Sequence, residues 1–327
     1  MADQAPLISD ITAAADRLVG HAVRTPLLNA PLLDADFGRR IFVKAECLQK
    51  TGSFKYRGAR NAVASLDPAE RANGVIAFSS GNHAQGVALA AREMGSSAVI
   101  IMPADAPELK IVNTRMLGAE VVLYDRDTED RDEIGARLAQ ERGLSLIKPF
   151  DNPRVIAGQG TTGLEIALQA KQAGISQAAD VLVCCGGGGL TSGISIALAA
   201  GAPEMSVHPV EPMGFDDTTR SLATGSIQTN TLRSGSICDA IVTPSPGKIT
   251  FPIMASHCGP GIVVTDDEAM RAMAIAFTRL KIVLEPGGAV ALAAALFHRD
   301  NDNDVIAVAS GGNVDAPLFR MALEKHG

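Results

Sequence analysis

The chain has 327 residues, 46% of them hydrophobic and 20% charged, with a formal net charge of -7. That length accommodates two domains with sizeable cores, and an acidic balance without a basic stripe excludes an ordinary nucleic-acid binder. No basic segment leads into an apolar run at the N-terminus, and the longest apolar run, residues 287–297, is too short to span a bilayer, so a cytoplasmic protein with reduced cysteines and no membrane partner is expected.

An amphipathic stretch over residues 8–19 opens the chain. Strands are expected at 41–44, 75–79, 98–102, 120–124, 145–147, 180–185, 206–211 and 305–310, each an apolar, β-rich run. Helical patterns fill gaps between them at 84–94, 110–117, 130–142, 161–173, 191–200, 266–280 and 288–297. Such alternation predicts an α/β fold with parallel sheets covered by helices on both faces. A turn-rich segment, residues 148–153, marks a boundary between two α/β series, and residues 243–261 read as a Pro/Gly-rich loop. In open parallel sheets, ligands bind beyond the carboxyl ends of strands, and the informative motifs all fall there.

The first is Thr51-Gly52-Ser53-Phe54-Lys55-Tyr56-Arg57-Gly58, at a predicted helix start. An ammonium is disfavoured at the positive end of a helix, and the flanking Phe54 and Tyr56 push Lys55 towards the neutral amine. A neutral lysine amine is a nucleophile for aldehydes. Next, Ser79-Ser80-Gly81-Asn82-His83 leads from a strand into a helix. Its amides suit a carboxylate or a phenolic oxygen, although simple capping by Ser80 or Asn82 gives the same pattern.

The strand at 180–185 runs into Gly186-Gly187-Gly188-Gly189-Leu190 before a helix, a phosphate cradle in composition. A dinucleotide fingerprint would need a third glycine where Thr191 or Ser192 stands, which favours a monophosphate. Glu211-Pro212, with Asp216 and Asp217, either supplies oxygens to a hard divalent cation or forms a solvated acidic loop. Glu285-Pro286-Gly287-Gly288 precedes a small-residue helix, and Ser310-Gly311-Gly312-Asn313 follows the last strand.

Together and in this order, with Lys44-x-Glu46, these motifs resemble the fold type II pyridoxal phosphate enzymes, in the serine/threonine dehydratase and serine racemase group. The resemblance implies two open twisted parallel-sheet domains of the tryptophan synthase β type, with the cofactor in the cleft between them. Residues 1–66 and 150–327 would form the large domain, and 67–149 the small one.

It further implies that Lys55 carries pyridoxal 5'-phosphate as a Schiff base. Gly186, Gly187, Gly188, Gly189 and Leu190 hold the phosphate, Asn82 bonds the phenolic oxygen and Ser310 the ring nitrogen. Phe54 and Glu285 complete the cofactor contacts. Ser80 is the second catalytic acid/base, and Ser79, Ser80, Asn82, His83 and Arg131 bind the substrate. Glu211, the carbonyl of Phe215, and Asp217 match a site for Mg2+, Ca2+ or Mn2+. A homodimer is implied. The expected reaction is loss of water from threonine or serine, giving a 2-oxo acid and ammonia, because a neutral Ser310 drains little charge into the ring. The alternatives are 3-hydroxyaspartate dehydration, for which Arg57, His83 or Arg131 are the candidate second-carboxylate partners, and serine racemisation. The chain ends soon after its last helix, so an added regulatory domain is not expected.

Overall fold

A computed structural model describes residues 4–79, 81–106, 108–125, 128–298 and 303–327. Among them the strands are β1 (Leu27–Leu28), β2 (Ile41–Lys44), β3 (Val75–Phe78), β4 (Ala98–Pro103), β5 (Glu120–Tyr124), β6 (Ser145–Leu146), β7 (Asp180–Cys184), β8 (Ser206–Pro212), β9 (Ile262–Val264) and β10 (Val305–Val308). They form a six-stranded sheet, β1-β2-β10-β7-β8-β9, and a four-stranded sheet, β5-β4-β3-β6. Every pairing is parallel except β1 with β2.

β2, β7 and β10 are buried throughout, as Val- and Ile-rich strands between helical layers must be. The main core packs this sheet against the alanine-rich helix Pro286–Phe297. A second core gathers Val75, Ala77, Ile100 and Met102 of the small sheet against the helix Asn82–Glu93.

The eight predicted strands all appear, within two residues of their expected ends. β1 and β9 escape sequence patterning because they are edge strands of two and three residues. The expected loop at 243–261 contains a helix, Thr250–His257. Its Pro252 misleads, yet a first-turn proline is tolerated because the amide there lacks an intrahelical partner. The helix expected from 161 begins at Pro153, where the Asn152 side chain accepts from the amides of Arg154 and Val155.

Four charged side chains pin the helix Lys55–Ala64 to this frame. Arg57, buried, donates from Nε and Nη2 to Glu46 at 2.8 Å each. It also donates from Nη1 to Glu165 at 2.7 Å. Lys44, at the end of β2, donates to Glu165 at 2.5 Å and to the carbonyl of Thr25 at 2.7 Å. Burial alone would raise the Glu46 carboxyl, but the Arg57 guanidinium overcomes it and holds Glu46 below its ordinary 4.5. A network of this kind adds little net stability, but removing one member strands a charge in the core.

Glu46→Ala should therefore destabilise the protein by about 3–5 kcal/mol in urea unfolding at neutral pH. Glu46 has a depressed folded pKa, so its contribution is present above 4.5 and lost as pH falls through the folded value. The gap between variant and parent should shrink in acid.

Candidate active site

The carboxyl ends of β3, β7 and β10 converge on a cavity of about 230 Å³, shared by both sheets. Phe54, Lys55, Ser79, Asn82, His83, Gly186 to Leu190, Glu285 and Ser310 all line it. Ser80 lies outside the described residues. Arg131 is not brought there: it sits exposed on the first turn of the helix Arg131–Arg142, 3.8 Å from Asp132. Glu211, Phe215 and Asp217 lie apart, at and beyond the end of β8.

Lys55 is the first residue of its helix, as expected. Its Nζ donates to the carbonyl of Pro149 at 2.9 Å and lies 5.2 Å from the Phe54 ring centroid. Burial lowers its pKa to about 8, against the opposing pull of Cys184 and Glu285. Tyr56 plays no part in this: its hydroxyl bonds Glu93, away from the cavity.

The loops around Lys55 are laced together by backbone. Ser53 bridges Gly311, Phe54 N donates to Ser310 O at 3.0 Å, and Gly312 N to Gly52 O at 2.9 Å. The second of these places Ser310 beside the lysine loop, where its hydroxyl meets the buried thiol of Cys184. Asn313, which the sequence motif contained without a role, donates to Asn82 Oδ1 at 2.7 Å and to Thr51 O at 2.8 Å. That turns the Asn82 amide nitrogen to Glu285, at 2.6 Å, and leaves its second N–H to donate. Burial, then repulsion from Asp239, raises the Glu285 carboxyl to about 7.

His83 behaves differently from expectation. Its Nε2 lies 2.8 Å from the carbonyl of Ile147, which can only accept, so the proton sits on Nε2. Burial, with the nearby Lys55 charge, depresses its pKa to about 3. A neutral ring of this tautomer offers no second donor to a carboxylate.

The glycine turn is built as a cradle. Gly188 has φ +90°, a left-handed conformation that favours glycine, and it caps the helix Gly189–Gly201. A Cβ on Gly187 would come within 2.3 Å of the Phe150 ring. Thr250 Oγ1 donates to Gly187 O at 2.6 Å and ties the turn to the helix Thr250–His257. The first-turn amides of Gly189–Gly201 have no intrahelical acceptor, which makes this end an anion site. Thr243 Oγ1, buried and without a partner among the described residues, also lines the cavity. An aldehyde-reactive amine, an amide donor, a neutral hydroxyl and an anion cradle in one cavity fit pyridoxal phosphate.

In cofactor-free protein the reactive amine fraction of Lys55 should rise with pH through about 8, rather than through the ordinary 10.5. Site-resolved acetylation measured by mass spectrometry checks this, and a midpoint near 10.5 contradicts it.

Comparison with known proteins agrees with the geometry. The chain is 43% identical over 317 residues to an L-threo-3-hydroxyaspartate ammonia-lyase of Pseudomonas sp., covering 96% of this chain and 98% of that one. It is 38% identical over 323 residues to a serine racemase of Schizosaccharomyces pombe, covering 98% of each. The crystal structure of a T.th. threonine deaminase superposes with a TM-score of 0.89 at 43% identity, covering 95% of this chain and 99% of that one. Residues 18–311 match the pyridoxal-phosphate dependent enzyme family, and the chain belongs to it.

Proposed function

We propose that this protein is an ammonia-lyase that eliminates water from a 3-hydroxy amino acid, giving a 2-oxo acid and ammonia. The observation that carries the reading is Lys55: a partly neutral amine in a cavity whose ring-nitrogen partner, Ser310, is uncharged. The relatives named for 3-hydroxyaspartate, serine and threonine act on molecules that share an α-amine, an α-carboxylate and a β-hydroxyl.

When bound, pyridoxal phosphate serves as the sink for the electron pair left at Cα. The chain supplies the rest. The Gly186–Leu190 turn and Thr243 would hold the phosphate, Asn82 would donate to the phenolic oxygen, and Phe54 packs beside the lysine. The backbone entering the helix Asn82–Glu93, with Ser79, receives the α-carboxylate. The Lys55 amine would remove the Cα proton and return a proton to the departing β-hydroxyl, which leaves as water. A pKa of about 8 suits both roles near neutral pH. The released enamine hydrolyses to the 2-oxo acid and ammonia.

A divalent cation belongs at Glu211 and Asp217. Asp217 Oδ2 is buried and has no partner among the described residues. Burial, then mutual repulsion, raises Glu211 to about 8; burial likewise raises Asp217 to about 6. A cation would relieve both carboxyls. Glu211 already accepts from the amides of Thr218 and Thr219 and from the Thr219 hydroxyl, so its geometry is set in advance. Among the described residues no cluster of three His, Cys, Asp or Glu exists, so a backbone oxygen such as that of Phe215 would complete the set.

Two copies are proposed to pair, a reading supported by the exposed Leu7 beside an apolar groove of Ile8, Ile196 and Ile253. A cytoplasmic setting is consistent with five free cysteines and with no described helix long and apolar enough to cross a membrane.

Lys55→Ala should reduce ammonia release from 3-hydroxy amino acids by at least about 10³-fold. Unchanged turnover in that variant refutes the mechanism. Sedimentation equilibrium and thermal melts with and without Mg2+ test the remainder. The expected results are a two-copy mass and a rise in Tm with Mg2+ that Asp217→Asn abolishes; a single-copy mass or an unresponsive Tm rejects the respective point.

A further inference from the structure

A 3-hydroxyaspartate carries a second carboxylate, which serine and threonine lack. The cations that sequence suggested for it are all spent or absent. Arg57 is buried and donates to Glu46 and Glu165. His83 is neutral, its one N–H given to Ile147. Arg131 stands outside the cavity. Among the described residues lining the cavity, the cations are Lys55 and one other, Lys110.

We propose that Lys110 receives the second carboxylate and makes a 3-hydroxy dicarboxylic amino acid the preferred substrate of this site. The inference rests on the elimination reading above and names its substrate class.

Topology puts Lys110 where such a group arrives. β3 and β4 are parallel neighbours, with Phe78 paired to Ile101. The segments that leave their carboxyl ends therefore lie side by side. One carries Ser79, Gly81 and Asn82 to the helix Asn82–Glu93, where the α-carboxylate docks. The other leads to the helix Glu108–Met116, which carries Lys110 near its start. A molecule with carboxylates on adjacent carbons spans these two segments.

The present partner of Lys110 is replaceable. Asp239, from the six-stranded side, lies 3.6 Å from Nζ, and its side chain is 72% exposed. That is longer than a charge-assisted hydrogen bond, and an exposed pair of this kind contributes little. Lys110 is more enclosed, at 22% exposure, and both residues line the cavity. A substrate carboxylate entering there takes the place of the Asp239 carboxylate, and Asp239 returns to water. Serine and threonine leave the pair as it is.

The test uses holoenzyme and two ligands that lack a Cα proton and so can be neither dehydrated nor racemised, α-methylaspartate and α-methylserine. Calorimetric titration should show tighter binding of α-methylaspartate. Lys110→Met should lower the ratio of the two affinities by about tenfold or more. Asp239→Asn, which removes the competing carboxylate, should raise it. The ratio of kcat/KM for 3-hydroxyaspartate over serine should follow it, falling in Lys110→Met and rising in Asp239→Asn. Melting curves of the variants separate a local effect from unfolding. Equal weakening of both ligands in Lys110→Met, or an unmoved ratio, overturns the assignment. If the parent enzyme releases ammonia from no 3-hydroxy amino acid, the elimination reading fails, and the affinity ratio still decides the role of Lys110.

Discussion

The site depends on one polar knot, the contact of Arg57 with Glu46 and Glu165, to which Lys44 is joined. It ties the end of β2 and two helices together two residues from Lys55. Its members are charged although they lie in the core, so they tolerate few alternative arrangements. The result is a helix start whose direction is fixed from behind. Lys55 can then be held in a poorly hydrated cavity without the helix turning it out to solvent. The same knot explains why Arg57, two residues away, takes no part in binding.

The cavity in front of the knot is electrostatically graded. Near Lys55 most groups are neutral: Ser310, a protonated Cys184 whose pKa burial raises to about 11, and a His83 that has lost its charge, with Glu285, raised by burial to about 7, the partly ionised exception. Towards the mouth stand Lys110 and Asp239, oppositely charged and partly solvated. Burial disfavours charge in the interior, while water tolerates it at the rim. A substrate with charge at one end and a reacting carbon at the other is oriented by that gradient.

Much of this was legible in the chain. The strand pattern gave the sheets because their central strands, buried on two faces, read as continuous apolar runs. The site motifs stood out because glycines, a lysine and capping residues at strand ends have few structural reasons to coincide. What stayed hidden depends on partners distant in sequence. Asn313 matters through Asn82, 231 residues away. The tautomer of His83 is set by a carbonyl 64 residues on. Tyr56 neighbours Lys55 in the chain yet bonds Glu93, and Lys110 lies in a helix with no motif of its own. Arg131 was drawn to the site by resemblance alone, and its helix leaves it in solvent.

The position of β10 has a consequence for biogenesis. This strand is inserted between β2 and β7, pairing Val308 with both Lys44 and Val183. The small sheet, by contrast, closes within residues 75–146. On the ribosome the small sheet has its full complement early, whereas β2 and β7 expose unsatisfied backbone until residues 305–308 have emerged. The cavity is completed by the same event, since Ser310, which lines it, directly follows that strand. A truncated translation product lacking the last few dozen residues is thus both inactive and sticky, a natural target for chaperones and proteases.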